Sequence, residues 1–398
     1  MGTDAMRDVS AAGDSWPVVV GAIAAQVIGG LVPQMAPFLI SGMMDGLSLS
    51  ERDAGFVAFV EFLTLAATAI LIAPVLPRFS YRSVCLAAVA LTLLAQGASI
   101  FSTSLGSLAF LRGFAGVGEG AIYAVSLSIV ASRCRNPDKV YGYFQVVWAL
   151  GSVGLFAIGG QLTAAFAHRG IFAFIAGVTL ALSPLLLLIP SDRARNVHRY
   201  SAAGVAAPPL IGVMTFTAIV LYLAASAAVY TFSAPLGERA GLDTSQVSYA
   251  LTIASLIGLL GAGAATVLNL RWGRAIPITG FCIGFAIITI ALCFSQSAIV
   301  YLVALIASVV IYYFSIPYLF GLSAALDRSG RWAAAAGSAY LLGFAAGPLI
   351  AGATITAAGY AGLAAACVAI TAGAWALAMA VNRRLRETTG TGTTEAPA

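Results

Sequence analysis

Three charged residues sit inside otherwise apolar stretches of this chain: Glu61, Arg112 and Glu119. Two carboxyls and one guanidinium in such places can do either of two things, form a fixed ion pair or carry a proton reversibly. A carboxylate near a bilayer midplane costs roughly 2.5–3.5 kcal/mol on insertion scales. It persists there when it is paired, faces water, or exchanges a proton. Glu119 is the most demanding of the three, in Arg112-Gly-Phe-Ala-Gly-Val-Gly-Glu119-Gly120. Burial favours its neutral form and a guanidinium one or two turns away favours its charged form, so the group can be poised for titration. Glu119 and Glu61 are therefore the candidate proton-coupling acids. Arg112 is their charge partner or a contact for an anionic substrate. The alternative is a brace, in which Glu61 and Arg112 pair only to lock two helices.

Polar and aromatic residues in the same stretches are candidates for lining a cavity. They are Gln26 and Gln34 in the first stretch, Tyr123 one turn beyond Glu119, Trp148, Tyr222 and Tyr230, and Tyr312 and Tyr313. Tyrosine joins an apolar ring to a hydroxyl, which suits a small aromatic or amphipathic solute. Tyr222 and Tyr230 are expected on one helix face. Soluble chemistry finds no support: no glycine-rich loop ends in Lys-Ser/Thr, and Ser, His and Asp show no nucleophile arrangement. The two histidines, His168 and His198, and the five cysteines show no metal-ligand spacing. No catalytic residue, metal or cofactor is expected.

The elements that position these residues follow from composition. Of 398 residues, 60% are hydrophobic and 9% charged, and the mean hydropathy is +0.96. Soluble domains carry about 25% charged residues, so this chain is predicted to be an all-α integral membrane protein in contact with the lipid bilayer. Apolar stretches fall at roughly 16–44, 53–76, 83–103, 106–131, 139–167, 170–190, 210–235, 246–270, 275–295, 298–325, 333–357 and 360–382. They give about twelve transmembrane helices. The boundaries read as a tail over 1–15, a six-helix bundle over 16–190, a linker over 191–209, a second bundle over 210–382 and a tail over 383–398. At 1.5 Å per residue, Glu61 lies about 12 Å along the second helix, with Arg112 about 9 Å and Glu119 about 20 Å along the fourth. Glu61 and Arg112 are thus expected at one depth and Glu119 lower. Pro33, Pro37, Pro235 and Pro317 are expected to bend their helices. Glycine pairs such as Gly116/Gly120, Gly258/Gly261/Gly263 and Gly343/Gly347 are expected to bring helices close, as is the run Gly151/Gly159/Gly160.

Charge placement predicts orientation. Sixteen of the 20 basic residues fall on the side holding the N-terminus and three, Arg52, Arg169 and Arg239, on the other, with Arg112 inside a span. Both termini are therefore expected in the cytoplasm of a multi-pass inner-membrane protein. The net charge of +5 sits in short loops, which gives no ground for nucleic-acid binding. Internal repetition points to a duplicated six-helix unit. Gly46-Leu47-Ser-Leu-Ser50 recurs as Gly241-Leu242-Asp-Thr-Ser245, and Arg78-Phe-Ser-Tyr-Arg82 as Arg271-Trp-Gly273-Arg274. Gly151…Gly160 likewise recurs as Gly343…Gly352.

Over nearly its full length the chain resembles the major facilitator superfamily. The family's loop pattern Gly-x3-Asp-Arg-x-Gly-Arg-Lys is eroded here: Ala73, Pro77, Ser80 and Tyr81 replace four of its positions, while Arg78 and Arg82 remain. The second copy keeps Arg271, Gly273 and Arg274. These five are the expected conformational-loop residues. Arg112, Gly116, Glu119 and Gly120 match Arg-x3-Gly-x2-Glu-[Gly/Ala], which resembles the fourth helix of proton-coupled anion:cation symporters, sialin-like proteins and Spinster-like transporters. The resemblance implies two pseudo-symmetric bundles with substrate between them near mid-membrane, and Glu119 as proton carrier. It implies a monomeric secondary active transporter, a symporter working by alternating access. The expected cargo is a small organic solute, with a carboxylate or aromatic anion favoured. The symporters' first-helix acid is absent, and Glu61 is the replacement at hand. A proton-antiporting exporter of amphipathic cargo is the nearest alternative, although the antiporter Gly-Pro-x2-Gly-Gly pattern is eroded in the fifth helix. A non-transporting receptor or scaffold on the same fold is the next, and an intramembrane enzyme ranks last.

Overall fold

A computed structural model describes residues 16–134, 137–191, 209–269, 271–326 and 331–390. The 1–15 tail, residues 192–208 of the expected linker and residues 391–398 of the last tail lie outside the described residues, as do the loop arginines among them and His198. Contacts divide the chain into two compact units, Met1–Arg199 and Tyr200–Ala398.

Unit one runs through α1 (Trp16–Gln34), α2 (Ala36–Leu47), α3 (Glu51–Ile72), α4 (Tyr81–Ser99), α5 (Leu105–Arg133) and α6 (Pro137–Leu182), and a 3-10 turn Ser183–Leu188 extends the last. Unit two holds α7 (Pro209–Thr231), α8 (Ser233–Arg239), α9 (Thr244–Leu268), α10 (Ala275–Phe294), α11 (Ala298–Ala324) and α12 (Arg331–Gly390). Ten helical runs are long and apolar enough to cross a membrane, and two of these hold 49 and 51 residues. At 1.5 Å per residue each of the two would be about 75 Å long if straight, more than twice the ~30 Å hydrocarbon thickness. One breaks at Ala167 and the other at Ala358–Gly359. The described chain therefore makes twelve crossings, six in each unit.

The two units repeat each other in detail. In each, the first crossing is two helices in series. Met35 separates α1 from α2 with φ −85° and ψ 6°, and Phe232 separates α7 from α8 with φ −96° and ψ 13°. Proline lacks an N–H and so cannot complete the ladder, and Pro37 and Pro235 follow the two breaks closely. In unit two the Tyr301 hydroxyl donates to the Ser233 carbonyl at 2.7 Å, just after the break. Pro317 lies inside α11 without interrupting it. Equivalent caps start the next helices. Ser50 accepts from the Asp53 N–H at 3.2 Å, and Asp243 and Gln246 form a reciprocal capping box. Such caps satisfy donors that a helix start leaves open.

Close helix approach in unit one centres on α5. A methyl at Gly116 would overlap the Glu61 carbonyl and the Thr64 hydroxyl, and one at Gly120 the Leu65 carbonyl, all on α3. On the opposite side Gly118 faces Thr92 and the Ala88 carbonyl of α4. Three glycines in five residues thus let α3 and α4 pack backbone-close against α5. In unit two, Gly343 and Gly347 do the same for α12 on α7, and Gly258 and Gly261 for α9 on α11. Gly151 and Gly263, expected to serve this purpose, meet nothing within 4 Å.

Gly116→Ala is expected to cost about 1–3 kcal/mol through overpacking and to lower the melting temperature in detergent. Gly263→Ala, at an open position, is expected to leave it unchanged or raise it, since Ala favours a helix by roughly 0.8–1 kcal/mol over Gly. Melting of both variants at the wild-type temperature would contradict the packing described for α3 on α5.

Candidate functional site

The helix packing around α5 brings its two buried charged residues against Glu61 of α3 and against Gln96 and Ser99 of α4. Glu61, Arg112 and Glu119 are each 0% exposed. An Arg112 guanidinium nitrogen donates to Glu61 Oε1, and the same nitrogen stands 3.7 Å from Glu119 Oε1. The other terminal nitrogen donates to the Ser99 hydroxyl at 3.4 Å, and Ser99 in turn donates to the Ala95 carbonyl at 2.7 Å. Phe172, from the second half of α6, lies under the guanidinium with its ring centroid 4.9 Å away. Gln96 on α4 donates its amide N–H to Glu119 Oε1 at 3.1 Å.

Sequence alone puts Glu61 and Arg112 at one depth and Glu119 below them. In the fold all three meet, because the arginine side chain spans the turns between the two acids. Gln96 carries no signal in the sequence: it is neutral, three residues from the end of α4, and looks like an ordinary interfacial polar residue. With both carboxyls ionised the triad carries one excess negative charge. One carboxyl oxygen on each acid, Glu61 Oε2 and Glu119 Oε2, makes no hydrogen bond, and neither does Gln96 Oε1. Buried polar groups are nearly always satisfied, so this cluster is incomplete as an ionic brace. A proton on either acid removes the excess charge.

The expected lining residues separate into two sets, each within one unit. In unit one the Tyr123 phenol hydrogen-bonds Gln26, and Gln26 also accepts from the Ser126 hydroxyl at 2.6 Å. Trp148 packs against Gly30, where a methyl would stand 3.1 Å from the indole. Gln26, Gln34, Tyr123 and Trp148 are all half-buried. In unit two Tyr230, Tyr312 and Tyr313 are half-buried too. Tyr222 is different: it is sealed at 0% exposure against Phe281 and Phe285, with centroids 4.9 and 5.7 Å away. Its ring is packed inside unit two rather than facing open space. Eight residues of helix rotate the chain by about 800°, so Tyr222 and Tyr230 stand about 80° apart rather than on one face. Two rings missing from the sequence reading, Tyr340 and Phe344 on α12, join Tyr230 and Tyr312.

Among the loop residues, Arg82 donates from Nε to the Ile189 carbonyl at 2.7 Å, tying the start of α4 to the last turn of unit one. Arg78 and Arg271 are exposed and Arg274 is half-buried. Gly273 takes φ +66°, a left-handed conformation that favours glycine.

A sequence profile of the Major Facilitator Superfamily matches residues 21–327. Comparison with curated proteins yields no match. Among solved structures, the chain is similar to a bacterial homolog of the human lysosomal transporter Spinster, in an inward-facing and unoccupied conformation. That likeness has a TM-score of 0.72 and 14% identity and covers 94% of this chain and 99% of the other. It is also similar to the nucleoside transporter NupG (0.71, 10% identity, 92% and 98% covered) and to a D-xylose-proton symporter (0.69, 17% identity, 91% and 98% covered). At these identities the likenesses concern the fold.

Arg112→Met is expected to destabilise the protein by about 3–5 kcal/mol, because it strands two buried acids. Glu61→Gln combined with Arg112→Gln leaves one stranded acid instead of two and is expected to recover part of the loss. Thermal melting of the purified variants checks this. A double variant no more stable than the single one would contradict the ion pair.

Proposed function

Because this chain belongs to the Major Facilitator Superfamily, we propose that it is a proton-coupled secondary transporter of a small organic solute with Glu119 as its proton carrier. One observation carries the reading: two acids face a single guanidinium at zero exposure, so the cluster is neutral only with one proton aboard. Coulomb attraction between Arg112 and an ionised Glu119 at 3.7 Å is worth about 4 kcal/mol at an effective dielectric of ~20. Protonation cancels that attraction while Arg112 keeps its bond to Glu61. The arginine is then held by Glu61 of α3, Ser99 of α4 and the Phe172 ring, and the pull between positions 112 and 119 is released. A local charge change of this size can bias a two-state packing arrangement, and alternating access requires two such arrangements.

The fold neighbours give the reading a precedent, since one of them is a D-xylose-proton symporter. Symport is favoured over antiport because the fifth crossing keeps only Gly159-Gly160 of the antiporter pattern, without its proline. A carboxylate cargo held by Arg112 loses its footing, because that guanidinium is already enclosed by Glu61, Glu119, Ser99 and Phe172. The chain is a multi-pass membrane protein, and the arginine distribution supports a plasma-membrane location with both termini in the cytoplasm.

The test is a substrate screen on purified protein in liposomes, recording lumenal pH with and without an imposed gradient. Wild-type protein is expected to move protons with its cargo, while Glu119→Gln loses gradient-driven accumulation and keeps part of its exchange. Full accumulation by that variant would remove Glu119 from the mechanism. Absence of any solute-dependent proton flux, with Glu119→Gln behaving as wild type, would favour a receptor or scaffold.

A further inference from the structure

Unit two carries a group of rings that the proton chemistry does not use. Tyr230 stands at the end of α7, Tyr312 and Tyr313 midway along α11, and Tyr340 with Phe344 in the first half of α12. The hydroxyls of Tyr312 and Tyr340 are 2.7 Å apart. The rings of Tyr340 and Phe344 are near parallel, at 17° and 6.3 Å, and Phe344 lies 6.3 Å from Tyr230. Tyr313 meets Tyr312 edge-on at 5.6 Å. The result is a patch of ring faces and phenol oxygens drawn from three helices of one unit.

All five rings are half-buried. The same unit packs its structural rings far more tightly, with Tyr222 and Tyr301 at 0% and Phe281 at 2% exposure. Lipid does not account for the difference. Exposed positions within α9, α10 and α11 include Leu260, Ile283, Ile287 and Val303, which are apolar and more than half exposed, while the exposed Tyr249 lies near the start of α9. A phenol turned to hydrocarbon would forfeit its hydrogen bonds at a cost of a few kcal/mol. An interfacial belt fails as well, because Tyr312 is the fifteenth of 27 residues in α11.

Charge then narrows what the patch can hold. From Pro209 to Asn382 the helices of unit two have no acidic or basic residue apart from Glu238 and Arg239, at the end of α8, and Arg331, the first residue of α12. An anion seated on these rings would be desolvated with no cation beside it. A cation would gain less from the ring faces than leaving water costs an ion. An uncharged ring bearing hydroxyl, amide or carbonyl groups meets neither penalty. It can stack on Tyr340 and Phe344 and exchange hydrogen bonds with the phenol pair.

We propose that Tyr230, Tyr312, Tyr313, Tyr340 and Phe344 form the cargo's ring-binding subsite, and that the cargo is an uncharged aromatic or heteroaromatic solute with hydrogen-bonding substituents. This assignment rests on the transporter reading above and names its substrate class.

The experiment reads ligand-induced thermal stabilisation of the purified full-length protein in detergent, with no gradient. The probes are nucleosides, nucleobases, benzamides and aryl glycosides, set against nucleotides and benzoates, benzylamines, and ring-free polyols and aliphatic acids. Stabilisation is expected from uncharged ring-bearing members alone. Tyr340→Phe, which keeps the ring and drops one hydroxyl of the pair, is expected to weaken their binding roughly tenfold. Phe344→Leu, which removes a stacking face, is expected to weaken it comparably, and neither change is expected to move the unliganded melting temperature much. Stabilisation by charged or ring-free members, indifference to both variants, or no stabilisation by any uncharged ring-bearing member overturns the assignment. Binding read this way does not depend on Glu119. Anions taken up with protons would sink the subsite and leave the coupling, whereas neutral rings that bind without moving protons would do the reverse.

Discussion

Arg112 is one guanidinium facing two carboxylates where water does not reach. Each partner solves part of the other's problem: the arginine offsets the acids' loss of hydration, and they offset its own. The arithmetic does not close, because two negative charges meet one positive. Ser99, Gln96 and Phe172 soften the imbalance with hydrogen bonds and a ring face, but they add no charge. A cluster built only to fasten helices would be cheaper with one acid, and cheaper still as packed hydrocarbon. On the proposed function, the surplus acid is what lets a brace respond to protons.

Everything around α5 serves to hold that arrangement. Gly116, Gly118 and Gly120 bring two neighbouring backbones against the helix that carries Arg112 and Glu119. Glu61 then reaches Arg112 from one side and Gln96 reaches Glu119 from the other. Larger residues at those glycines would separate the helices and leave charges stranded in a medium that punishes them. The glycines and the charges on this helix are therefore one device. Farther along α5, Tyr123 and Ser126 meet Gln26, so a single helix links the buried charges to the half-buried polar face of its unit.

Much of this is legible in the residues. A charge in an apolar run stands out, so Glu61, Arg112 and Glu119 are conspicuous without any knowledge of the fold. Arginine, glycine and proline punctuation puts the stretches within a few residues of the observed helix ends except the last, which runs on to Gly390, and the paired breaks at Met35 and Phe232 lie beside prolines that the sequence marks as bends. Pro317 instead lies within the continuous helix α11. Gln96 is hidden because a neutral amide near a helix end has no distinctive spacing. Tyr340 and Phe344 are hidden because two rings one turn apart in an Ala- and Gly-rich run look like ordinary packing. Tyr222 misleads because helical rotation over eight residues separates it from Tyr230. Which side chains share a face depends on tertiary packing, and spacing along the chain records that only in part.

The most direct test of the central claim looks for the proton itself. Infrared difference spectroscopy of the purified protein, taken across a pH titration, reports protonated carboxyl groups through their C=O stretch. The account predicts one buried protonated carboxyl that titrates reversibly in the folded protein, with a band that shifts in Glu119→Asp and vanishes in Glu119→Gln. A folded protein with no buried protonated carboxyl at any pH, or a buried-carboxyl band that survives Glu119→Gln unchanged, would contradict it.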